Sequence, residues 1–97
     1  MNSQRGDERR KEHPRSRWEI ILDILKVISE ERGEAKKTRI MQKACLDWRN
    51  FQKHFHFLME RGFVGNSVDA EEGKSYCLTE KGRDLLKRLR EVEGILR

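Results

Sequence analysis

Four side chains suited to nucleic-acid recognition lie on one side of a predicted helix over residues 48–61. They are Arg49, Gln52, Lys53 and His56. At helical spacing this side lies opposite the apolar residues of the same segment. Arginine can bind guanine with two parallel hydrogen bonds, glutamine can read adenine, and lysine commonly neutralises phosphate. The set predicts a surface for the major groove of double-stranded DNA, although an ordinary solvated helix face would have a similar composition.

A second basic group precedes this helix and could hold DNA phosphates without reading base sequence. Its members are Lys36, Lys37, Arg39 and Lys43. By contrast, the predicted hairpin that follows the helix has an acidic tip beside Lys74, formed by Asp69, Glu71 and Glu72. Because three acids outweigh one lysine there, we expect this hairpin, called the wing below, to be a poor phosphate binder. It would then point away from DNA or contact protein.

Neither metal nor catalytic chemistry is indicated. The possible zinc ligands are Cys45, His54, His56 and Cys77. They include no Cys-x-x-Cys pair, and on a helix the two histidines diverge by about 200°. His54 is therefore expected at the edge of the core. Since the sequence also carries no nucleophile–base signature and no glycine-rich phosphate loop, we predict that the protein is not an enzyme and uses no cofactor.

Composition supports a small charged domain with a polyanionic partner. The chain has 97 residues, of which 35% are hydrophobic and 40% charged, and its net charge is +5. Positive charge is concentrated in two segments, residues 1–17 with a net charge of +3 and residues 32–53 with +5. Clustered positive charge on a nearly balanced protein is typical of nucleic-acid binding, and a surface tuned for solubility is the alternative.

Cellular location is predicted from the absence of targeting signals. No apolar run reaches the roughly 18 residues of a membrane helix, since Asp23 and Lys26 interrupt residues 18–28. No apolar stretch precedes residue 18, as a signal peptide would require. The two cysteines make no disulfide framework. We therefore expect a cytoplasmic protein with no membrane partner.

The order of predicted elements is helix, short strand, helix, helix, hairpin, helix. Ser16 and Glu19 form a capping-box pattern for the first helix, Thr38 is predicted to cap the second, and Thr79 the last. Residues 35–37 are expected to form a short strand or a turn. The fold class is therefore mainly α within α+β, a winged helix–turn–helix in which the third helix fits the major groove.

The domain organisation follows from this order. Residues 1–14 are expected to form a flexible basic arm, residues 15–79 the winged domain, and residues 80–97 a final helix that serves dimerisation. Apolar residues cover about 220° of the first helix at 100° per residue, more than a small domain is expected to bury. The predicted dimer interface comprises Ile20, Ile24, Val27, Leu85, Leu89, Val92 and Leu96.

Several segments carry a recognisable pattern, namely Thr38-Arg39-Ile40-Met41, Leu46, Phe51, Leu58-Met59-Glu60-Arg61-Gly62-Phe63-Val64 and Tyr76-Cys77-Leu78-Thr79-Glu80-Lys81-Gly82. They resemble an archaeal winged-helix family that includes small dimeric DNA-binding proteins of Sulfolobus chromatin and many archaeal regulators. The likeness spans about residues 17–92. It implies binding of double-stranded DNA as a dimer through the last helix.

The leading hypothesis is a homodimeric DNA-binding protein that regulates transcription. A protein–protein adaptor in a transcription or replication assembly is the alternative, suggested by the acidic wing and by Phe57, which projects away from the core stripe. Sequence-independent chromatin binding is a third interpretation.

Overall fold

The computed structural model describes residues 15–67 and 74–96. Its elements are α1 (Arg17–Glu31), α2 (Lys37–Lys43), α3 (Trp48–Glu60), β1 (Val64–Asn66), β2 (Tyr76–Leu78) and α4 (Glu80–Leu96). Their order is that of a winged helix–turn–helix, which confirms the predicted fold class. The predicted basic arm, residues 1–14, and the acidic hairpin tip, residues 69–73, lie outside the described residues.

Helix α1 begins with the predicted capping box. The backbone N–H of Ser16 donates to Glu19 Oε1 at 2.7 Å, which satisfies a donor that the helix leaves unpaired. The helix ends where Arg32 and Gly33 both have positive φ, 52° and 86°. This pair of left-handed residues turns the chain towards α2.

The chain itself covers the broad apolar face of α1. Ile20, Ile24 and Val27 are only 7%, 0% and 6% exposed, because α1 packs against α2, α3, β2 and α4 at once. The expectation that these three residues form part of a dimer interface is therefore wrong. A helix at the centre of a small domain needs apolar residues over most of its circumference, so the broad apolar face reflects its central position.

The sheet is smaller than predicted. Strands β1 and β2 are antiparallel and pair Val64 with Leu78 and Asn66 with Tyr76. Of the short strand or turn expected at residues 35–37, only one bridge forms, between Ala35 and Tyr76. Lys36 is already the N-cap of α2, so only Ala35 is left to pair. The prediction that Thr38 caps α2 is also wrong, because the helix begins at Lys37.

Helix α4 begins with a capping threonine, as predicted. The Thr79 hydroxyl donates to the carbonyl oxygen of Gly62 at 2.6 Å and accepts from the backbone N–H of Gly82 at 3.0 Å. These bonds join the end of α3 to the start of α4. Within the described residues, no helix is both long enough and apolar enough to cross a bilayer.

Candidate nucleic-acid interface

Helix α3 separates a buried side from a solvent-facing side. Phe51, Phe55 and Leu58 are at most 3% exposed and pack into the core. The N-cap is Asp47, whose carboxylate accepts from the backbone N–H of Asn50 at 2.7 Å. The rings of Phe51 and Phe55 are stacked, with centroids 5.0 Å apart. Buried aromatic packing and the cap together hold α3 rigidly on the domain.

The outward side of α3 carries the four predicted DNA-contacting residues. Arg49, Lys53 and His56 are exposed and Gln52 is half-buried. Nothing in the described part of the chain covers this side or forms a salt bridge with Arg49 or Lys53. His56 Nε2 lies 3.1 Å from Glu60 Oε2 one turn away, so one carboxylate borders the basic surface at its far end.

At the N-terminus of α3, a side chain of the protein already accepts a backbone N–H that a phosphate would use. The Asp47 carboxylate occupies the position from which a phosphate would accept the N–H of Asn50. Beside it the Trp48 side chain is 52% exposed, with its ring 5.7 Å from that of Phe51. Trp48 therefore combines partial core packing with an open aromatic edge next to Arg49.

The flanking cations of α2 are engaged with other groups of the protein. Arg39 Nε donates to Glu31 Oε1 at 3.0 Å, and Lys43 Nζ lies 3.2 Å from Glu31 Oε2. Lys37 Nζ lies 5.4 Å from the centroid of the Phe55 ring. Lys36 is exposed at the N-cap of α2. The predicted phosphate-binding group is thus brought together on α2, but two of its members share one carboxylate.

Glu31 is the acid that organises this group. Its side chain is only 15% exposed, between α1 and α2. The hydrogen bond from Arg39 lowers the pKa of Glu31, burial opposes that change, and Lys43 adds to the lowering. Glu31 therefore remains ionised and holds Arg39 and Lys43 in place at the edge of α2.

Arg15 holds the turn between α2 and α3. In the sequence it is only one of several basic residues in the segment 1–17. Arg15 donates to the carbonyl oxygens of Ala44 at 2.8 Å and Cys45 at 2.9 Å, and it pairs with Asp23 at 2.6 Å. Cys45 has a positive φ of 58°. Since Arg15 and Cys45 lie 30 residues apart, no local pattern could have revealed this contact.

The possible metal ligands are not brought together. His54 is 5% exposed at the core edge, as predicted, and its Nδ1 lies 2.8 Å from the carbonyl oxygen of Asn50. Cys45 is exposed at the turn, and Cys77 lies on β2. Among the described residues, no cluster of histidine, cysteine or acidic side chains could hold a metal ion.

The apolar seam of α4 is buried at one end and exposed at the other. Leu85 and Leu89 are partly buried against the core. Val92, Ile95 and Leu96 are 40%, 80% and 67% exposed. Of the predicted interface residues, only those of α4 are therefore available to a second molecule.

Comparison with known proteins assigns the fold to a family. Residues 14–96 match a family model described as winged helix-turn-helix. The chain belongs to this family. Winged helix-turn-helix proteins of this kind are not enzymes, which confirms the prediction that this chain is not one.

Relatives of this winged-helix protein occur in archaea. The uncharacterized protein MJ0287 of Methanocaldococcus jannaschii is 42% identical over 88 residues, which cover 91% of this chain and 84% of the relative. A second uncharacterized protein of that organism, MJ0290, is 37% identical over 73 residues, which cover 75% of this chain but 31% of the relative. The archaeal resemblance is thereby confirmed.

Two solved structures resemble this winged helix. Sso10a-2, a DNA-binding protein from Sulfolobus solfataricus, superposes with a TM-score of 0.69 at 28% identity, covering 84% of this chain and 81% of that one. A MarR family transcriptional regulator from Silicibacter pomeroyi superposes with a TM-score of 0.62 at 18% identity, covering 75% of this chain and 49% of that one. The second likeness concerns the fold alone.

Proposed function

We propose that this winged helix binds double-stranded DNA as a transcriptional regulator and inserts α3 into the major groove. Arg49, Gln52, Lys53 and His56 face the bases and the nearest phosphates. The cations of α2, namely Lys36, Lys37, Arg39 and Lys43, contact the flanking backbone. The basic segment of residues 1–14 adds phosphate contacts that do not depend on base sequence.

One observation carries this proposal: the outward side of α3 is basic, rigidly held and uncovered by the described chain. A helix of this width fits the major groove when its buried side is fixed to the domain. The fold shared with the DNA-binding protein Sso10a-2 supports the same partner. The acid that borders the surface, Glu60, limits base contacts to the first three turns of α3.

The experiment is an equilibrium titration of labelled duplexes with the purified chain at about 50 and 200 mM salt. We expect the affinity of the Arg49→Ala/Lys53→Ala variant to fall about tenfold or more, because a single bidentate base contact alone is worth about 1–3 kcal/mol. Wild-type affinity should decrease by about 0.9 log unit per log unit of salt for each phosphate neutralised.

The matched control is the Lys87→Ala/Arg90→Ala variant, which removes the same charge from exposed positions on α4. It should bind DNA within about twofold of wild type, because only cations that contact phosphate release counterions from the duplex. Equal losses in the two double variants would show that net charge, not α3, governs binding. Failure of the wild type to bind any duplex at low salt would overturn the proposed function and favour the adaptor alternative.

A further inference from the structure

Phe57, which is partly buried at the edge of the core, lies against a pair of cations. The Arg17 guanidinium lies 4.5 Å from the centroid of the Phe57 ring, and that of Arg61 lies 5.0 Å from the same centroid. Arg17 begins α1 and Arg61 follows the end of α3, so the ring joins two elements. A guanidinium stacked on a ring keeps its N–H groups available at its edge.

A third cation extends the same cluster from α4. Lys81 Nζ lies 4.8 Å from the centroid of the Phe63 ring and donates to the carbonyl oxygen of Arg61 at 2.8 Å. The rings of Phe57 and Phe63 are themselves neighbours, with centroids 6.5 Å apart. We call these five residues the aromatic–basic patch.

The charge of this patch is not neutralised within the described part of the chain. Arg17, Arg61 and Lys81 are all exposed, and no carboxylate of residues 15–67 or 74–96 forms a salt bridge with any of them. Three like charges held near one another by two rings repel each other at low ionic strength. Phosphates bound beside them would relieve this repulsion, which makes the patch suited to a DNA backbone.

The patch adjoins the proposed DNA-binding side of α3. Lys53, Phe57 and Arg61 follow one another at intervals of four residues, so they form a continuous row along the helix surface. A duplex that contacts Lys53 therefore passes close to the patch. Glu60 lies beside this row, with its Oε2 3.1 Å from His56 Nε2. Within the described residues it forms no salt bridge with Arg17, Arg61 or Lys81.

We propose that Arg17, Arg61 and Lys81 form a second phosphate-binding site for the backbone of the same DNA duplex, beyond the groove that holds α3. Phe57 and Phe63 act as positioning residues, because they hold the cations in place before DNA arrives and so reduce the ordering cost of binding. This inference rests on the proposed function and extends the DNA contact past the end of α3.

The test measures duplex affinity as a function of salt for the full chain. The Arg17→Gln/Arg61→Gln variant should lose about 1.8 units from the slope of log affinity against log salt, which corresponds to two phosphates at about 0.9 each. The Phe57→Leu variant retains both charges, so its slope should stay near that of wild type while its affinity falls about threefold to fivefold. Thermal unfolding midpoints show whether each variant remains folded.

The control removes equal charge elsewhere. The Lys87→Gln/Arg90→Gln variant should keep the wild-type slope to within about half a unit. The Arg17→Gln/Arg61→Gln variant could behave like this control while the Arg49→Ala/Lys53→Ala variant loses binding. That result would refute the phosphate-binding role of the patch and leave the proposed function standing. Wild-type affinity in the folded Phe57→Leu variant would overturn the positioning role, and absence of wild-type binding would overturn both proposals.

Discussion

Glu31 illustrates how one side chain controls which cations are held for a ligand. It accepts from Arg39 and Lys43, so a residue at the end of α1 determines the position of two predicted phosphate contacts on α2. Arg15 has a comparable role beyond α2, where it bonds to the carbonyl oxygens of Ala44 and Cys45. Both residues shape the interface without belonging to its outward face.

Replacement of Glu31 by glutamine should change the pH dependence of stability. The folded-state pKa of Glu31 is lowered, chiefly by the hydrogen bond from Arg39. Its contribution is therefore fully present above the unfolded pKa of about 4.3 and is lost as pH falls through the folded value. Glu31→Gln should lower the free energy of unfolding at pH 7 by up to about 1 kcal/mol, and the difference should shrink as pH falls through the lowered folded-state pKa.

Urea unfolding at about pH 7, 4.5 and 3 measures this effect. Glu34→Gln is the control, since Glu34 is exposed and forms no salt bridge within the described residues. It should change stability little at every pH. A constant difference between wild type and Glu31→Gln across these pH values would contradict the assigned role of Glu31.

At the scale of elements, α4 depends on a close approach to the chain that leads into β1. A Cβ atom at Gly82 would collide with the backbone carbonyl oxygen of Phe63, whereas one at Gly94 would meet nothing within 4 Å. The helical pattern suggests that both glycines merely weaken α4. For Gly82 this interpretation is wrong, because the absence of a side chain is what allows α4 to pack.

The two glycines therefore predict opposite effects on stability. Gly82→Ala should destabilise the domain by about 3 kcal/mol or more, since backbone must move to relieve the collision. Gly94→Ala should stabilise it by up to about 1 kcal/mol, the usual gain in an exposed helix interior. Thermal or chemical unfolding of the two variants distinguishes them, and equal responses would show that α4 does not pack closely at Gly82.

At the scale of the whole molecule, burial of α1 leaves only the α4 part of the predicted dimer interface exposed. Val92, Ile95 and Leu96 are exposed at its end, while Ile20 and Ile24 are enclosed by the chain. A second copy that covers the α4 seam would pair two DNA-binding surfaces in one particle. Pairing of this kind raises affinity for a duplex with two suitably spaced sites, because the second contact becomes intramolecular.

We expect sedimentation equilibrium to show a dimer at tens of micromolar wild-type chain. Val92→Glu/Leu96→Glu should shift it to monomer, because the carboxylates introduced on both copies would face one another in a desolvated seam. The circular dichroism spectrum should remain that of the wild type, since both positions are exposed in the single chain. A monomeric wild type at this concentration would contradict the predicted dimer.

Much of the architecture follows from local chemistry that the chain carries in order. The caps at Ser16, Asp47 and Thr79 and the apolar spacing of α3 define where helices begin and which side is buried, and these rules act over one or two turns. The basic side of α3 was predictable for the same reason. Residues 35–37, expected to form a short strand or a turn, contribute only the bridge of Ala35 to the sheet, because the next helix already begins at Lys37.

Features that depend on distant segments could not be read from such patterns. Periodicity shows that α1 has a wide apolar face, but only the packing of α2, α3, β2 and α4 around it reveals that the face is covered by the same chain. Likewise, spacing places Phe57 outside the core stripe, but only the folded chain shows that Arg17 of α1 and Arg61 after α3 lie against its ring. It also shows that Lys81 of α4 lies against the neighbouring ring of Phe63. The spacing of residues along a helix shows on which side each side chain projects. The groups that the side chain contacts there depend on how the rest of the chain folds around the helix.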